Sequence, residues 1–510
     1  MKPQSRSFVE HTLGIRVTRH ASRITRPSLA LIVVVLPLAG CGTRLSGGVP
    51  AQGELALTHV TVVDVVNGRL LANQTVVMGG GRITRIGGAE RVRLAPGVRA
   101  LDGSGKYVLP GLLDMHAHLT LSGRPTEIEL PLFVAHGVTG VRVMGADCRR
   151  PVLRTPDCLE TYREWRRQIE AGPLSGPRLL ALGSWPVNGP SGITDSMPSY
   201  FKASSAEEGR QLARYFKQRG VDFIKVYNNI SRAGYLGLAE EARLLGLPFA
   251  GHEPMGLSAL ELASAGQGSI EHSRIFLFNC FPGADSLRRN LLRISGSALR
   301  RRQVDEYDAR MCADVFSAFV RSRTYITPTH GTRKMDALAH DSAYRRDARM
   351  KYVTRLQSFR WTADANGMVR SDSSAAGRTS YMDFYLKGRE LTGAAYRAGV
   401  PIMVGTDAGD SFVFPGSSVH DELDELIAAG LTPAQAIKAA TFSGAEYLGR
   451  TAELGSVQTG RFADLVLLDA NPLADIKNTR RIHAVVLNGR YLDRTFLDQM
   501  LAGVEAAAQR

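Results

Sequence analysis

The sequence predicts an α/β chain in which eight parallel strands close into a barrel and a small β domain is assembled from both chain ends. Three observations predict it. Eight short apolar segments alternate with helical stretches through the middle of the chain, near 112–118, 138–144, 178–183, 222–227, 247–252, 268–272, 324–330 and 401–407. Strand-like alternation flanks them on both sides, and neither flank holds enough strands for a core of its own. Metal-competent side chains recur where the apolar segments end, which is where such barrels collect their chemistry. The fold class expected is therefore a TIM-like (β/α)8 metal-dependent barrel with a small β-sandwich built from both chain termini.

Residues 1–40 read as a leader outside the fold. Lys2, Arg6, Arg16, Arg19, Arg23 and Arg26 make residues 1–28 basic, and Leu29 to Leu38 form an apolar core too short to span a membrane comfortably. Leu38-Ala39-Gly40-Cys41 is similar to the lipobox of bacterial lipoproteins, where Cys41 becomes the lipidated first residue of the mature chain. The other reading is an ordinary signal peptide with a chance cysteine. Residues 41–52 then form a flexible tether. Both readings export the protein; the lipobox anchors it by lipid in the cell envelope, on the periplasmic side, with Gly42 compatible with the outer membrane.

Residues 53–108 are the first part of the β domain, with alternation over Leu55 to Asp64, Gln74 to Met78 and Arg82 to Ile86. Residues 451–495 are the second part, with Ala463 to Leu468 and His483 to Gly489. Between them, residues 109–410 hold the barrel strands, and 411–450 the last barrel helices. Glu207 to Gln218 and Leu236 to Leu245 are among the helical stretches. The long connections 274–323 and 331–395 are largely helical and charged, the pattern of cap or lid insertions on a catalytic face. Thr432-Pro433-Ala434-Gln435 reads as a helix cap, a first-turn proline and a returning glutamine. Residues 496–510 are a C-terminal helix or tail.

The 510 residues carry a formal charge of +15; six basic residues and one acid lie in the leader, which leaves +10 on the remainder. That balance favours an anionic membrane surface or acidic substrates. No basic stripe interleaved with aromatics appears, so nucleic acid is not an expected partner. The basic run from Arg288 to Arg302 reads as a solvated helix face. Beyond Cys41, four cysteines remain. An even number in an exported chain suggests disulfides, Cys148 with Cys158 and Cys280 with Cys312, against the alternative of four free thiols.

The strand ends carry the chemistry. His116 and His118 share one face of the first strand, with Asp114 one step behind. Lys225 lies near the end of the fourth strand, His252 ends the fifth, His272 the sixth and Asp407 the eighth. Nitrogen and oxygen donors in such numbers suit zinc or a similar divalent ion.

Taken in order, Leu109-Pro110-Gly111-Leu112-Leu113-Asp114-Met115-His116-Ala117-His118, Gly137-Val138-Thr139-Gly140-Val141-Arg142, Asp222-Phe223-Ile224-Lys225, His252, Ile270-Glu271-His272, Gly405-Thr406-Asp407-Ala408-Gly409 and Gly460-Arg461-Phe462-Ala463-Asp464-Leu465 resemble the amidohydrolase superfamily, in its imidazolonepropionase-like and Xaa-Pro dipeptidase-like branch. The resemblance spans roughly residues 53–495. It implies a metal-bearing barrel with a β-sandwich from both chain ends. It implies that His116, His118 and Asp407 bind a first divalent metal and that His252 and His272 bind a second. Lys225, carboxylated by carbon dioxide, would bridge the two. Tyr227, His330 and Arg333 are candidates for contacting substrate. Asp114 either supports the ligands or is a packing carboxylate. His136, His340, His420 and His483 receive no role.

The function expected from these features is metal-dependent hydrolysis of amide or peptide C–N bonds in small substrates such as dipeptides or N-acyl amino acids. A metal-bridging hydroxide would attack, and Asp407 would carry its proton to the leaving amine. Cyclic amides, lactones and other esters are the alternative substrates. A non-catalytic, lipid-anchored binding protein on a degenerate barrel is the alternative of another class. A homo-oligomer is expected.

Overall fold

The computed structural model describes residues 51–146, 159–189, 201–290, 292 and 294–510. The leader, Cys41, and the proposed Cys148–Cys158 pair lie outside the described residues. Five strands come first: β1 Leu55–Asp64, β2 Arg69–Gly79, β3 Arg82–Gly88, β4 Arg99–Asp102 and β5 Tyr107–Pro110. Seven short strands follow through the middle: β6 Leu112–Ala117, β7 Val138–Val143, β8 Arg178–Leu182, β9 Ile224–Val226, β10 Phe249–Gly251, β11 Ser269–Glu271 and β12 Tyr325–Thr327. Three close the chain: β13 Leu465–Leu468, β14 Ile482–Leu487 and β15 Arg490–Asp493.

The two chain ends join in one eight-stranded sheet, ordered β15-β14-β13-β5-β1-β2-β3 with β4 beside β1. The small β domain expected from both chain ends is thus one curved sheet. β1 pairs with β4 through its first half and with β5 through its second, and its register against β2 shifts between Leu57 and Val62. Bulges of this kind bend a strand and increase its twist. The sheet curves until Arg82 bridges Phe462, just before β13. Alternation does the rest: Leu465, Leu467, Ala484 and Val486 face an inner core with Leu57, Val76 and Met78. Val466, Leu468 and Val485 face the other way, onto the main core.

The middle strands are all parallel, in two sheets, β6-β7-β8 and β9-β10-β11-β12. Each is buried on both faces, which explains why these segments read as continuous apolar runs. A bridge between Gly183 and Phe223 links the sheets on one side. On the other, segment 401–407 was expected as the eighth strand. It makes no ladder: Ile326 N–H donates to Pro401 O, Met403 N–H to Ile326 O, and Met115 N–H to Val404 O. A continuous eight-strand closure is therefore absent among the described residues. Regular pairing stops because the segment crowds β6 and then reverses. A Cβ on Gly405 would lie 2.7 Å from His116 N, and Asp407 has φ +67°.

Four helices start with the reciprocal serine or threonine and glutamate or glutamine caps that satisfy their first amides: Ser205 with Glu208, Ser258 with Glu261, Thr354 with Gln357, and Thr432 with Gln435. The last of these has Pro433 in its first turn, as its sequence predicts. Connection 274–323 folds as helices Arg274–Asn279, Ala284–Arg288, Gly296–Asp305 and Ala309–Ser322. A disulfide joins Cys280 to Cys312 across it. The basic run there is not uniformly solvated: Arg300 lies over the rings of Phe278 and Phe384. The second connection holds helices His330–Leu338, Arg355–Ser371 and Ala375–Arg397. Helix Arg494–Gln509 ends the chain.

One buried ion pair fastens the sheet of the chain ends to β8. Arg178 Nε donates to Asp464 Oδ2 at 2.5 Å, the Arg178 guanidinium stacks 3.9 Å over Phe462, and Asp464 Oδ1 accepts from Asn488 N–H. This accounts for the Arg461-Phe462-Ala463-Asp464 motif as a structural clasp. Asp464→Ala leaves the Arg178 charge buried and unpaired, so it is expected to destabilise the fold by about 3–5 kcal/mol. A denaturant midpoint unchanged from wild type would refute the clasp.

Candidate active site

A cavity of about 500 Å³ lies where β6, β9, β10 and β11 end, and its floor is lined by His116, His118, Lys225, His252, His272 and Asp407. His116 lies in β6 and Lys225 in β9, while His118, His252 and His272 follow the ends of β6, β10 and β11 within one residue. All six residues singled out as ligands thus meet in one place. His272 has φ +77° and Asp407 φ +67°. Non-glycine residues rarely take this left-handed conformation, and such backbone strain collects at functional sites.

His116, His118 and Asp407 form the tightest metal-competent group, with ligand atoms within 4.8 Å of one another. Asp407 Oδ1 stands 3.2 Å from Nε2 of His116 and 3.2 Å from Nε2 of His118. Burial opposes its charge, but the two imidazoles hold the Asp407 carboxyl well below the usual carboxylate range. Lys225 Nζ lies 3.5 Å from His116 Nε2. Burial lowers the Lys225 pKa to about 8, and among the described residues no carboxylate stands within ion-pair distance of its amine.

Three of the four imidazoles, those of His116, His252 and His272, are oriented through their far nitrogens. His116 Nδ1 donates to Glu271 Oε2 at 2.9 Å. Glu271 Oε1 in turn accepts from Arg142 Nη2 at 2.8 Å and Ser269 Oγ at 2.5 Å. Burial would raise the Glu271 carboxyl, yet Arg142 and His116 hold it far below its ordinary value. His252 Nδ1 donates to Asn228 Oδ1, an oxygen that also accepts from Arg274 Nη2 at 3.2 Å. His272 Nδ1 meets Thr329 Oγ1 at 2.6 Å. With these outer nitrogens engaged, the Nε2 atoms of His252 and His272 face each other at 2.9 Å. Burial keeps both rings well below their usual pKa, so both are neutral, and a single ring proton joins the two Nε2 atoms when Thr329 Oγ1 donates to His272 Nδ1. Neutral imidazoles converging beside an ionised carboxylate are a donor set that fits a divalent metal.

Asp114 lies beneath this floor. It accepts from His116 N–H at 3.1 Å and from Thr406 N–H and Oγ1 at 3.0 and 2.6 Å, tying β6 to the segment that carries Asp407. Burial raises its pKa to about 6. Glu271 does comparable work for His116. Outer partners of metal-binding histidines typically contribute about 10–100-fold in affinity, so Glu271→Gln is expected to weaken metal binding by that factor. Titration with a competing chelator checks it; an unchanged affinity would separate Glu271 from the site.

Of the substrate candidates, Tyr227 and Arg333 line the cavity. Tyr227 stacks 4.2 Å from the His252 ring, and Arg333 pairs with Asp336. His330 does not reach the cavity, which corrects its expected role. The chain turns at Thr329, with φ +46°, and His330 begins a helix, fully buried, with Nδ1 2.8 Å from Glu422 and Nε2 3.1 Å from Thr392. The walls add residues given no role from sequence: Trp185, Trp361, Arg274 and Asp410. Burial and the neighbouring Arg333 lower the Arg274 pKa to about 10; burial and the nearby Asp407 charge raise Asp410 to about 7. Connection 331–395 forms the outer wall through Thr332, Arg333, Gln357, Arg360, Trp361 and Asp364, whereas 274–323 contributes Arg274 alone.

Known proteins share this fold. The structure of bottromycin amidohydrolase superposes with a TM-score of 0.67 over 89% of this chain and 90% of that one, at 22% identity. A Xaa-Pro dipeptidase with methionine in its active site superposes with a TM-score of 0.61 over 86% of this chain and 99% of that one, at 19% identity. In sequence, an uncharacterised protein of Mycobacterium tuberculosis is 24% identical over 392 residues, 76% of this chain and 85% of that protein. Ochratoxinase of Aspergillus niger is 36% identical over 117 residues, 22% of each chain. Residues 386–492 match the Amidohydrolase family. That match over part of the chain supports the resemblance to the amidohydrolase superfamily read from the motifs, and the solved structures share the fold.

Proposed function

We propose that this hydrolase cleaves the amide C–N bond of small substrates, dipeptides or N-acyl amino acids, with two divalent ions, zinc foremost. His116, His118 and Asp407 would hold one ion, His252 and His272 the other, and Lys225 both, as its carbamate. The facing Nε2 atoms of His252 and His272 carry this reading, because two neutral imidazoles converge there beside a separate His-His-Asp group. Lys225 supports it: a buried amine with a pKa of about 8 is neutral often enough to add to carbon dioxide, releasing one proton and gaining two anionic oxygens. Divalent metal at these atoms supplies an acidified water and an electrophile for the carbonyl oxygen.

The chain's own residues do the remainder. Asp407 keeps its carboxylate ionised between two imidazoles, and its Oδ2 lies 4.0 Å from His272 Nε2. That oxygen takes the proton of the attacking water and returns it to the leaving nitrogen, which departs poorly without it. Glu271, Asn228 and Thr329 fix the imidazoles, so little reorganisation is left to the reaction. The relatives fit this chemistry: they include a bottromycin amidohydrolase, a Xaa-Pro dipeptidase and an ochratoxinase. Among the described residues no helix is long and apolar enough to cross a membrane, so membrane attachment rests on the proposed lipid at Cys41.

The deciding experiment measures metal per chain beside hydrolysis of a dipeptide and N-acyl amino acid panel, with added zinc and bicarbonate. About two ions with amide cleavage supports the reading. Bound metal with no turnover on amides, lactones or cyclic amides overturns it in favour of a binding protein.

A further inference from the structure

Glu129 is a buried acid that the chemistry above does not use. It opens the helix Glu129–Ala135 and is 1% exposed. Both its oxygens turn back to Ser122: Oε1 accepts from Ser122 N–H at 2.8 Å and Oε2 from Ser122 Oγ at 2.5 Å. Ser122 Oγ also accepts from Arg124 N–H at 2.9 Å, so this serine gathers the loop between β6 and the helix. That loop forms one side of the cavity, through His118, Leu119, Thr120 and Leu121.

The same loop lies on the turn that carries Asp407. His118 N–H donates to Ala408 O at 3.2 Å. Leu121 packs on Gly409 so closely that a Cβ there would fall 2.4 Å from Leu121 Cδ1. A glutamate outside the cavity lining is thus joined, through Ser122 and Leu121, to backbone two residues from a proposed ligand. The far end of the loop is tied elsewhere: Arg124 Nη1 donates to Ala507 O at 3.1 Å, and Glu127 pairs with Arg510.

We infer that Glu129 is a positioning residue, which through Ser122 holds Leu121 against Gly409 and so fixes the cavity rim beside Asp407. Its effect on turnover rests on the amide-hydrolase reading above.

The clasp is sensitive to pH, because among the described residues Glu129 has no countercharge. In its own loop, Arg124 and Glu127 are engaged with the C-terminal helix, as given above. On that helix, Arg510 is spent on Glu127, and Glu505 pairs with Lys351. The cleft beside Glu129 offers Tyr352, Gln357 and Ser417, none of them charged. Only the Ser122 hydroxyl and amide and the glutamate's own N–H favour its charge, and burial raises its pKa from 4.5 to about 7. The closed loop therefore holds the proton more tightly than an open, hydrated one. The stability this gives the closed loop is full below pH 4.5 and is lost as pH rises through about 7. A neutral side chain at this position keeps an oxygen for Ser122 N–H and can give a hydrogen to Ser122 Oγ instead of receiving one.

Hydrogen exchange over residues 119–124 of the zinc-loaded full chain tests the clasp without any substrate. After correction for intrinsic exchange, opening is expected to rise by up to about 30-fold from pH 5.5 to 8.5, the linkage of a carboxyl with this shift. Glu129→Gln should stay closed at both pH values, and Glu129→Ala should be open at both. In kcat/KM on amides, Glu129→Ala should lose about 10–100-fold, the scale for displaced positioning groups, and Glu129→Gln should restore it. Wild-type exchange that ignores pH overturns the inference, as does an unchanged pH dependence in Glu129→Gln, which decides the matter alone if Glu129→Ala does not fold. A folded Glu129→Ala with a closed loop, or with wild-type turnover, overturns it and leaves amide hydrolysis standing. No cleavage of amides by the wild type overturns the amide-hydrolase reading instead, and the exchange results still decide the clasp.

Discussion

Lys225→Ala is expected to leave one metal ion or none per chain and to lower turnover by more than about 100-fold. The lower bound follows from ligand support: losing an outer partner already costs about 10–100-fold in metal affinity, and Lys225 is proposed as a ligand to both ions. The structure shows why an amine can take this part. Lys225 is 1% exposed, its amine lies 3.5 Å from His116 Nε2, and burial lowers its pKa to about 8. An ammonium there would repel the metals, whereas a carbamate presents one oxygen to each. The substitution also opens a space at the cavity floor, so millimolar formate or acetate should restore part of the activity by supplying the two missing oxygens. Two ions and normal turnover in Lys225→Ala would remove the bridge from the mechanism. Carbon-13 spectra of the wild type in labelled bicarbonate give an independent reading, because a carbamate resonance must appear there and vanish in the variant.

The six proposed ligands were legible in the sequence because each falls at the end of a short apolar strand, and parallel strands of one barrel deliver their ends to one face. His116, His118, His252 and His272 needed only that rule and the two-residue period of a strand. The eighth strand failed as a regular element for a local reason. Residues 401–407 are apolar enough to read as a strand, but the Gly405–Asp407 turn that aims Asp407 at the histidines breaks the ladder. The same rule misled at His330. Distance along the chain put it at a strand end, yet the turn at Thr329 swings it into a buried pair with Glu422, 92 residues away. Thr329 contacts His272 in its place. Glu271 and Arg142 stood in recognised motifs without a role, since their pairing joins residues 129 apart and appears only when β7 and β11 are brought together. Arg274 and Asp410 were invisible for another reason. They reach the cavity through the first residue of helix Arg274–Asn279 and the turn after Asp407, and neither placement has a motif of its own.

Asp407→Asn should separate binding from chemistry. The amide keeps the size of the side chain and one oxygen near the His116 and His118 Nε2 atoms, both 3.2 Å from Oδ1 in the native site, so metal is expected to be largely retained. What it loses is the second anionic oxygen. Oδ2 is the atom proposed to take the proton from water and pass it to the leaving nitrogen, and positioned acid–base groups of this kind contribute about 100–10,000-fold. A fall of roughly a thousand-fold in kcat with little change in KM is therefore the expected outcome. The leaving group sharpens the test. Substrates with a good leaving group, such as activated anilides, need little protonation and should be much less affected than dipeptides. If both substrate types slow equally, Asp407 acts chiefly by holding metal; if neither slows, the proton travels by another residue and Asp407 has no part in the chemistry.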